Sequence, residues 1–391
     1  MKNMIRSIST MLLIIALTFS VFGCSDKKPT AETDYANDSG NVKNIIVIIG
    51  DGMGEAQLDA GELVYEKEYS FRDTLNKIYS NTNSLSTKDG KATEVTDSAA
   101  GGTAIATGTL TYNKFTGKDT EGKDLKTFLD VAKEAGKSTG IVTTDKLTGA
   151  TPAAFSAHTL NRNLENEIIK SQIKSGVDLL VGQYYDLYDN YESSIKEKYK
   201  YFGELDEDEI LKGKRNILNE SKAGAMCLLE IETEAENSVT LSDAADLAID
   251  YLAADKDGFV LVIEQAHIDK NCHNKNFEGA AKSADSLNNT VETVLEFAKG
   301  RSDTAVIITA DHETCGLQVS SDKETYNGKA TTVSGKEISY NFSATSHTDT
   351  PVPVFTYGFE LVANLCPTYA SVDKIKNSEI YLVVCDLILY S

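Results

Sequence analysis

Four apolar, largely β-branched runs limit most strongly how this chain can fold. Residues 44–50 read NIIVIIG, with no polar alternation before the closing glycine. A run of that kind suits a strand buried on both faces of a parallel sheet. Residues 140–144 (GIVTT), 258–264 (GFVLVIE) and 304–310 (TAVIITA) repeat the pattern. Helix-like stretches accompany them at 125–135, 241–254 and 277–299. The last carries Ala280, Ala284, Leu287, Val291, Val294, Leu295 and Ala298 at helical spacing. Strands alternating with helices predict an α/β fold, a three-layer α/β/α sandwich with a central, mostly parallel sheet.

Such folds gather functional residues at the carboxyl ends of their strands. Asp51 follows the first run, Glu264 ends the third, and Asp311 and His312 follow the fourth. These side chains are expected to meet in one crevice, where carboxylate and imidazole suit zinc and hard divalent cations.

The formal charge of -21 argues against nucleic acid as a partner, because a phosphate backbone would be repelled. A small anionic substrate would need local positive charge from metal ions or arginine. The first 23 residues read as a signal peptide, with Lys2 and Arg6 ahead of an apolar run from Met11 to Leu17. Val21-Phe22-Gly23-Cys24 resembles a bacterial lipobox, so Cys24 is the expected lipid anchor, with simple secretion as the alternative. Residues 24–43 supply the lipidated cysteine and a polar tether, and the catalytic domain is expected over 44–391. The protein is therefore expected to be exported and held on the membrane, facing away from the cytoplasm. The cysteines after Cys24 are five and lack a CxxC pair, so buried thiols are expected, with one bridge left open. Residues 180–235 are rich in Tyr, Glu, Lys and Asp and read as a surface insertion, a lid or solvated helices. Residues 320–343 read as a hairpin or excursion, and 380–390 as a final strand or helix on the core.

Taken singly, the chemical signals are modest. Ser98 opens the small-residue run SAAGGTA, where a helix N-terminus would favour a phosphate, although Asp-Ser before alanines is more often a cap. The segment from Glu264 to His273 offers carboxylate, ammonium and imidazole groups. Asp269 and His273, four apart, share one face of a helical turn. Of the five histidines, His273, His312 and His347 lie near acids or hydroxyls, while His158 and His267 read as packing or supporting groups.

Together the ordered segments 50–54 (GDGMG), 96–100 (TDSAA), 150–154 (ATPAA), 157–162 (AHTLNR), 264–273, 309–312 (TADH) and 346–348 (SHT) resemble the alkaline phosphatase family. The resemblance spans residues 44 to 358. It implies hydrolysis of small phosphate monoesters by a phosphoserine route on Ser98, with two Zn2+ and one Mg2+ per chain. It implies that Asp51 bridges one zinc and the magnesium, and that Asp311, His312 and Ser98 complete that zinc. Asp269, His273 and His347 would hold the other zinc, and Thr151 and Glu264 the magnesium. Arg162 would grip the substrate phosphate in a planar fork. Lys270 would bind phosphate through water or else pair with a metal-site carboxylate. Dimerisation is common in that family and is carried over as an expectation.

Gly149 departs from the family pattern, which often places an acid or a histidine two residues before the magnesium threonine, around the third metal. A related two-metal phosphodiesterase or sulfatase, and a lipid-anchored binding protein without turnover, are the rival readings. The serine paired with Arg162 favours monoesters, because a phosphate dianion offers arginine two oxygens.

Overall fold

The computed structural model describes residues 42–202, 224–233, 238–359 and 374–389. Ten strands form the central sheet: β1 (Asn44–Gly50), β2 (Asn76–Asn81), β3 (Ser138–Lys146), β4 (Leu179–Gln183), β5 (Lys200–Phe202), β6 (Ala225–Leu229), β7 (Phe259–Gln265), β8 (Thr304–Thr309), β9 (Val352–Tyr357) and β10 (Lys374–Lys376). Their spatial order is β10-β2-β9-β8-β1-β7-β3-β4-β6-β5. Strand β9 pairs antiparallel with both neighbours, and every other pairing in the sheet is parallel.

The uninterrupted apolar character of β1 has a direct cause. Ile45, Val47 and Ile49 face one core, while Ile46 and Ile48 face the other. A strand covered on both sides has no solvent face on which a polar residue would be tolerated. The first core is roofed by α2 (Ser98–Thr107), α3 (Phe128–Glu134), α4 (Ala150–Ser156) and α8 (Glu379–Leu389). The second is roofed by α1 (Glu55–Tyr65), α5 (Leu241–Leu252), α6 (His267–His273) and α7 (Phe277–Ala298). This is the expected three-layer sandwich. Caps fix several boundaries. Thr127 and Asp130 form a capping box at the start of α3, and Thr240 and Asp243 do the same for α5.

Two segments differ from or sharpen the sequence reading. The stretch 180–235, expected as a surface insertion, instead contributes to the sheet through β4, β5 and β6. Strand β6 reads AMCLL and is fully buried. Its apolar run is only five residues long, and the surrounding charge hid it. Residues 203–223 and 234–235 of that stretch lie outside the described residues. The apolar segment near 380–390 is helix α8, with Ile380, Val383, Val384, Leu387 and Ile388 in the first core. Residues 320–343 lie largely within a three-stranded excursion of Leu317–Ser320, Glu337–Phe342 and Gly328–Thr331.

Candidate functional site

Parallel strands in register bring their carboxyl ends to one line. Ile49 of β1 sits opposite Thr309 of β8 and Glu264 of β7, and Glu264 sits opposite Thr143 of β3. Asp51, Asp311, His312, Glu264 and Thr143 therefore emerge at one mouth. The turn after β1 needs glycine: Gly52 has φ +75°, and a Cβ there would lie 2.5 Å from Thr314 Oγ1.

Helix α2 delivers Ser98 to this mouth. Asp97 is its N-cap, accepting from the Ala100 N–H at 3.0 Å. The run of Ala and Gly lets the helix press against its surroundings. A Cβ on Gly101 would meet the Asp311 carbonyl oxygen at 2.9 Å, and one on Gly102 would meet Ala154 at 3.0 Å. Ser98 thus both begins a capped helix and stands at the site, with Oγ 3.2 Å from Nε2 of His312.

Two donor clusters converge beside it: Asp51, Asp311 and His312, all buried, and Asp269, His273 and His347 at the more open side. In the first, His312 Nε2 lies 3.5 Å from Asp51 Oδ1 and 3.3 Å from Asp311 Oδ2. In the second, His273 Nε2 and His347 Nε2 lie 3.0 Å apart, and 3.3 Å and 3.4 Å from Asp269 Oδ1. The rings of His312 and His347 stack at 3.5 Å between centroids, so the clusters adjoin. Thr151 reaches Asp51 Oδ2 at 3.5 Å, and Glu264 accepts a hydrogen bond from Thr143 at the next position along the mouth.

Hydrogen bonds fix which imidazole nitrogen is free. His347 Nδ1 lies 2.8 Å from the Thr96 carbonyl, which can only accept, so Nδ1 carries a proton, and the neutral ring presents its Nε2 lone pair inward. Thr314 donates to Asp269, so His312 Nδ1–H donates to the Thr314 oxygen at 3.2 Å, again leaving Nε2 bare toward the site. Support of this kind sets ligand tautomer and orientation. Thr314 was not legible as a site residue, because a hydroxyl in a short strand carries no signal of its own.

The donor set fits divalent cations. Asp51 Oδ1 and Asp311 Oδ2 are buried and receive no hydrogen bond from the described residues. Burial first, then the Asp311 charge, raises the Asp51 pKa well above the carboxylate range. Burial and Asp269 push Asp311 up to about 6, and burial and Asp145 push Glu264 up to about 7. Burial, then His347, hold His312 well below its usual value and hence neutral. Buried carboxylates without partners are costly, and a divalent cation supplies the missing charge. A neutral imidazole is the form that binds metal.

Arg162 and Lys270 flank the clusters. Arg162 Nη1 lies 3.5 Å from Asp97 Oδ2, which also accepts from the Lys114 N–H at 3.0 Å. One aspartate thus caps the helix that begins with Ser98 and faces the arginine. Lys270 pairs with Asp145 at 2.6 Å, a partner that sequence reasoning did not identify. Of the remaining histidines, His158 Nδ1 donates to the Gly117 carbonyl at 2.8 Å, as a supporting residue would. Every expected ligand therefore lies at the strand mouth, and Thr143, Asp145 and Thr314 join them.

Comparison with known proteins agrees with this geometry. Alkaline phosphatase 4 of Bacillus subtilis is 30% identical over 341 residues, covering 83% of this chain and 73% of that protein. The alkaline phosphatase of Escherichia coli is 30% identical over 329 residues, covering 69% and 70%. Among solved structures, the alkaline phosphatase of the Antarctic bacterium TAB5 superposes with a TM-score of 0.74 at 26% identity, covering 89% of this chain and 98% of that one. The sequence profile of the alkaline phosphatase family matches residues 42–186 and 212–378, and the chain belongs to that family, as an enzyme that hydrolyses phosphate monoesters.

Proposed function

We propose that the chain performs this hydrolysis with Ser98 as nucleophile, through a phosphoserine, and only with divalent cations bound. The observation that carries the reading is Ser98 Oγ at 3.2 Å from His312 Nε2, whose ring stacks on His347 of the second donor cluster. Asp51, Asp311, His312 and Ser98 would hold one zinc; Asp269, His273 and His347 the second; Asp51, Thr151 and Glu264 the magnesium. When bound, these ions supply the positive charge that favours a deprotonated nucleophile and an anionic leaving oxygen.

The chain's own groups do the rest. Ser98 Oγ forms a bond to phosphorus as the ester P–O bond breaks and the alcohol leaves. Water then attacks the phosphoserine, releasing inorganic phosphate and restoring the hydroxyl. Arg162 offers two parallel N–H donors to non-bridging oxygens, and Asp97 limits where its fork can swing. The first backbone N–H groups of α2 favour a phosphate beside Ser98. Two in-line displacements predict retention of configuration at phosphorus.

The test is turnover of an aryl phosphate by the mature protein, alongside bis-aryl phosphate and aryl sulfate. Activity on the monoester should be lost on chelation, return with zinc and magnesium, and fall by about a thousandfold or more in Ser98→Ala. A chelated enzyme as active as the metal-loaded one would overturn the cation requirement, and an unimpaired Ser98→Ala would overturn the nucleophile. Faster turnover of diester or sulfate would replace the monoester as substrate.

Export and a lipid anchor at Cys24 rest on residues outside those described, and we carry both forward as part of the proposal. Cys24→Ala should move the protein from the membrane to the soluble fraction, and unchanged fractionation would refute the anchor. Dimerisation is proposed in the same way, and a single monomer mass in sedimentation would refute it.

A further inference from the structure

Gly149 is glycine without a conformational need. Its φ of -53° and ψ of 155° are open to any residue. Space decides instead: a Cβ at Gly149 would lie 2.7 Å from Asp145 Oδ2 and 3.0 Å from the Lys146 carbonyl oxygen. The Asp145 carboxylate therefore occupies volume that a side chain at residue 149 would take.

That carboxylate is tightly placed. Oδ1 accepts from the Lys146 N–H at 2.8 Å and pairs with Lys270 Nζ at 2.6 Å. Oδ2 receives no hydrogen bond among the described residues. The Asp145 N–H donates to Thr143 Oγ1 at 2.9 Å, and Thr143 donates in turn to Glu264. One chain of contacts thus runs from Lys270 through Asp145 and Thr143 to Glu264. Residue 149 is the N-cap of α4, whose Thr151 approaches Asp51.

We propose that Asp145 is a positioning residue of this active site, supplying beside Glu264 and Thr151 the carboxylate that Gly149 lacks and holding Lys270 where it can meet the substrate phosphate. The inference rests on the monoesterase reading above. Glycine at residue 149 and aspartate at residue 145 form one unit: the first leaves the room that the second fills. Without the carboxylate, Lys270 loses its fixed partner and the position around Glu264 loses a negative charge.

The experiment uses the zinc-loaded protein and two probes. Mg2+ binding is read from the shift in thermal midpoint, which needs no turnover. Inorganic phosphate is read as a competitive inhibitor of aryl phosphate hydrolysis. Asp145→Asn keeps the shape and removes the charge. It should weaken Mg2+ binding and phosphate inhibition by about tenfold each, raising KM more than it lowers kcat. Gly149→Ala, which keeps every charge, should shift both readouts the same way by displacing the carboxylate. The double variant Asp145→Ala, Gly149→Asp should recover most of the loss by returning a carboxylate from the other backbone position. Melting of each variant after chelation, within a few degrees of the parent, checks the fold. Wild-type Mg2+ affinity and phosphate inhibition in Asp145→Asn would overturn the inference while leaving the monoesterase reading intact. A parent protein inert on aryl phosphate, yet with Mg2+ binding that depends on Asp145, would overturn that reading and leave the placement of Asp145 standing.

Discussion

Glu264 should reverse the sign of its contribution to stability when cations are removed. The residue is 2% exposed at the carboxyl end of β7. Burial, followed by the Asp145 charge, raises its pKa from 4.5 to about 7. Below the ordinary value the folded and unfolded chains both carry the proton, and burial of the neutral acid adds no ionisation cost. Between 4.5 and about 7 the unfolded chain releases the proton while the folded chain keeps it, so stability falls as pH rises. Above that window both are ionised and the loss is constant, at ~3 kcal/mol for a displacement of this size. Glu264→Gln cannot ionise, and its amide oxygen can still accept from Thr143. After chelation, the variant should be more stable than the parent by up to ~3 kcal/mol near pH 8, and equal to it near pH 4. With zinc and magnesium returned the order should invert, because the amide brings no charge to the cation. Urea unfolding followed by circular dichroism reads all of this, the chain having no tryptophan. The self-repulsion of an acidic protein acts on both chains and largely cancels. A chelated variant less stable than the parent near pH 8, or a difference independent of pH, would refute the reasoning.

Other perturbations follow from single contacts. Thr314→Val removes the hydroxyl that joins Asp269 to His312, and zinc affinity should fall by about 10- to 100-fold in a competition titration with a chelator. Gly101→Ala places a methyl 2.9 Å from the Asp311 carbonyl; it should cost ~1–3 kcal/mol in denaturant unfolding and lower activity more than a surface substitution does. Thr127→Ala breaks the capping box of α3 without touching a residue of the proposed site, and should cost ~1 kcal/mol while leaving KM unchanged. Val383→Ala in α8 opens the first core and should cost ~1–3 kcal/mol, which an ornamental C-terminal tail would not.

The legibility of the fold followed local pattern. Strands β1, β7 and β8 are continuous apolar runs because helices cover both faces, so their sequences announced them almost to the residue. Strand β6 failed that test. Its burial arises from pairing with β4 on one side and β5 on the other, through segments rich in charge. The site divided in the same way. Asp51, Asp311 and His312 stand just after strands, where topology alone points to a crevice. His347 comes from a two-stranded ribbon with Glu313 and Thr314, and only ordered motifs placed it. Asp145 and Thr314 were not legible, because each acts through another side chain, and a single hydroxyl or carboxylate at a strand end has no periodicity to reveal it.

The acidic balance of the chain also finds its place in the site. Asp51, Asp269, Asp311 and Glu264 lie together at the mouth proposed to bind an anionic substrate, and among the described residues Arg162 and Lys270 flank it, held by carboxylates at Asp97 and Asp145. Such a mouth would repel phosphate if the protein alone set its charge. The same carboxylates that make the bare mouth unfavourable for substrate make it favourable for divalent ions, whose charge reverses the local field. Cation loading and substrate binding are thereby linked, and phosphate affinity should track the number of ions bound per chain. Phosphate titrations at stepped zinc occupancy test this, and affinity that does not change between chelated and fully loaded protein would sink it.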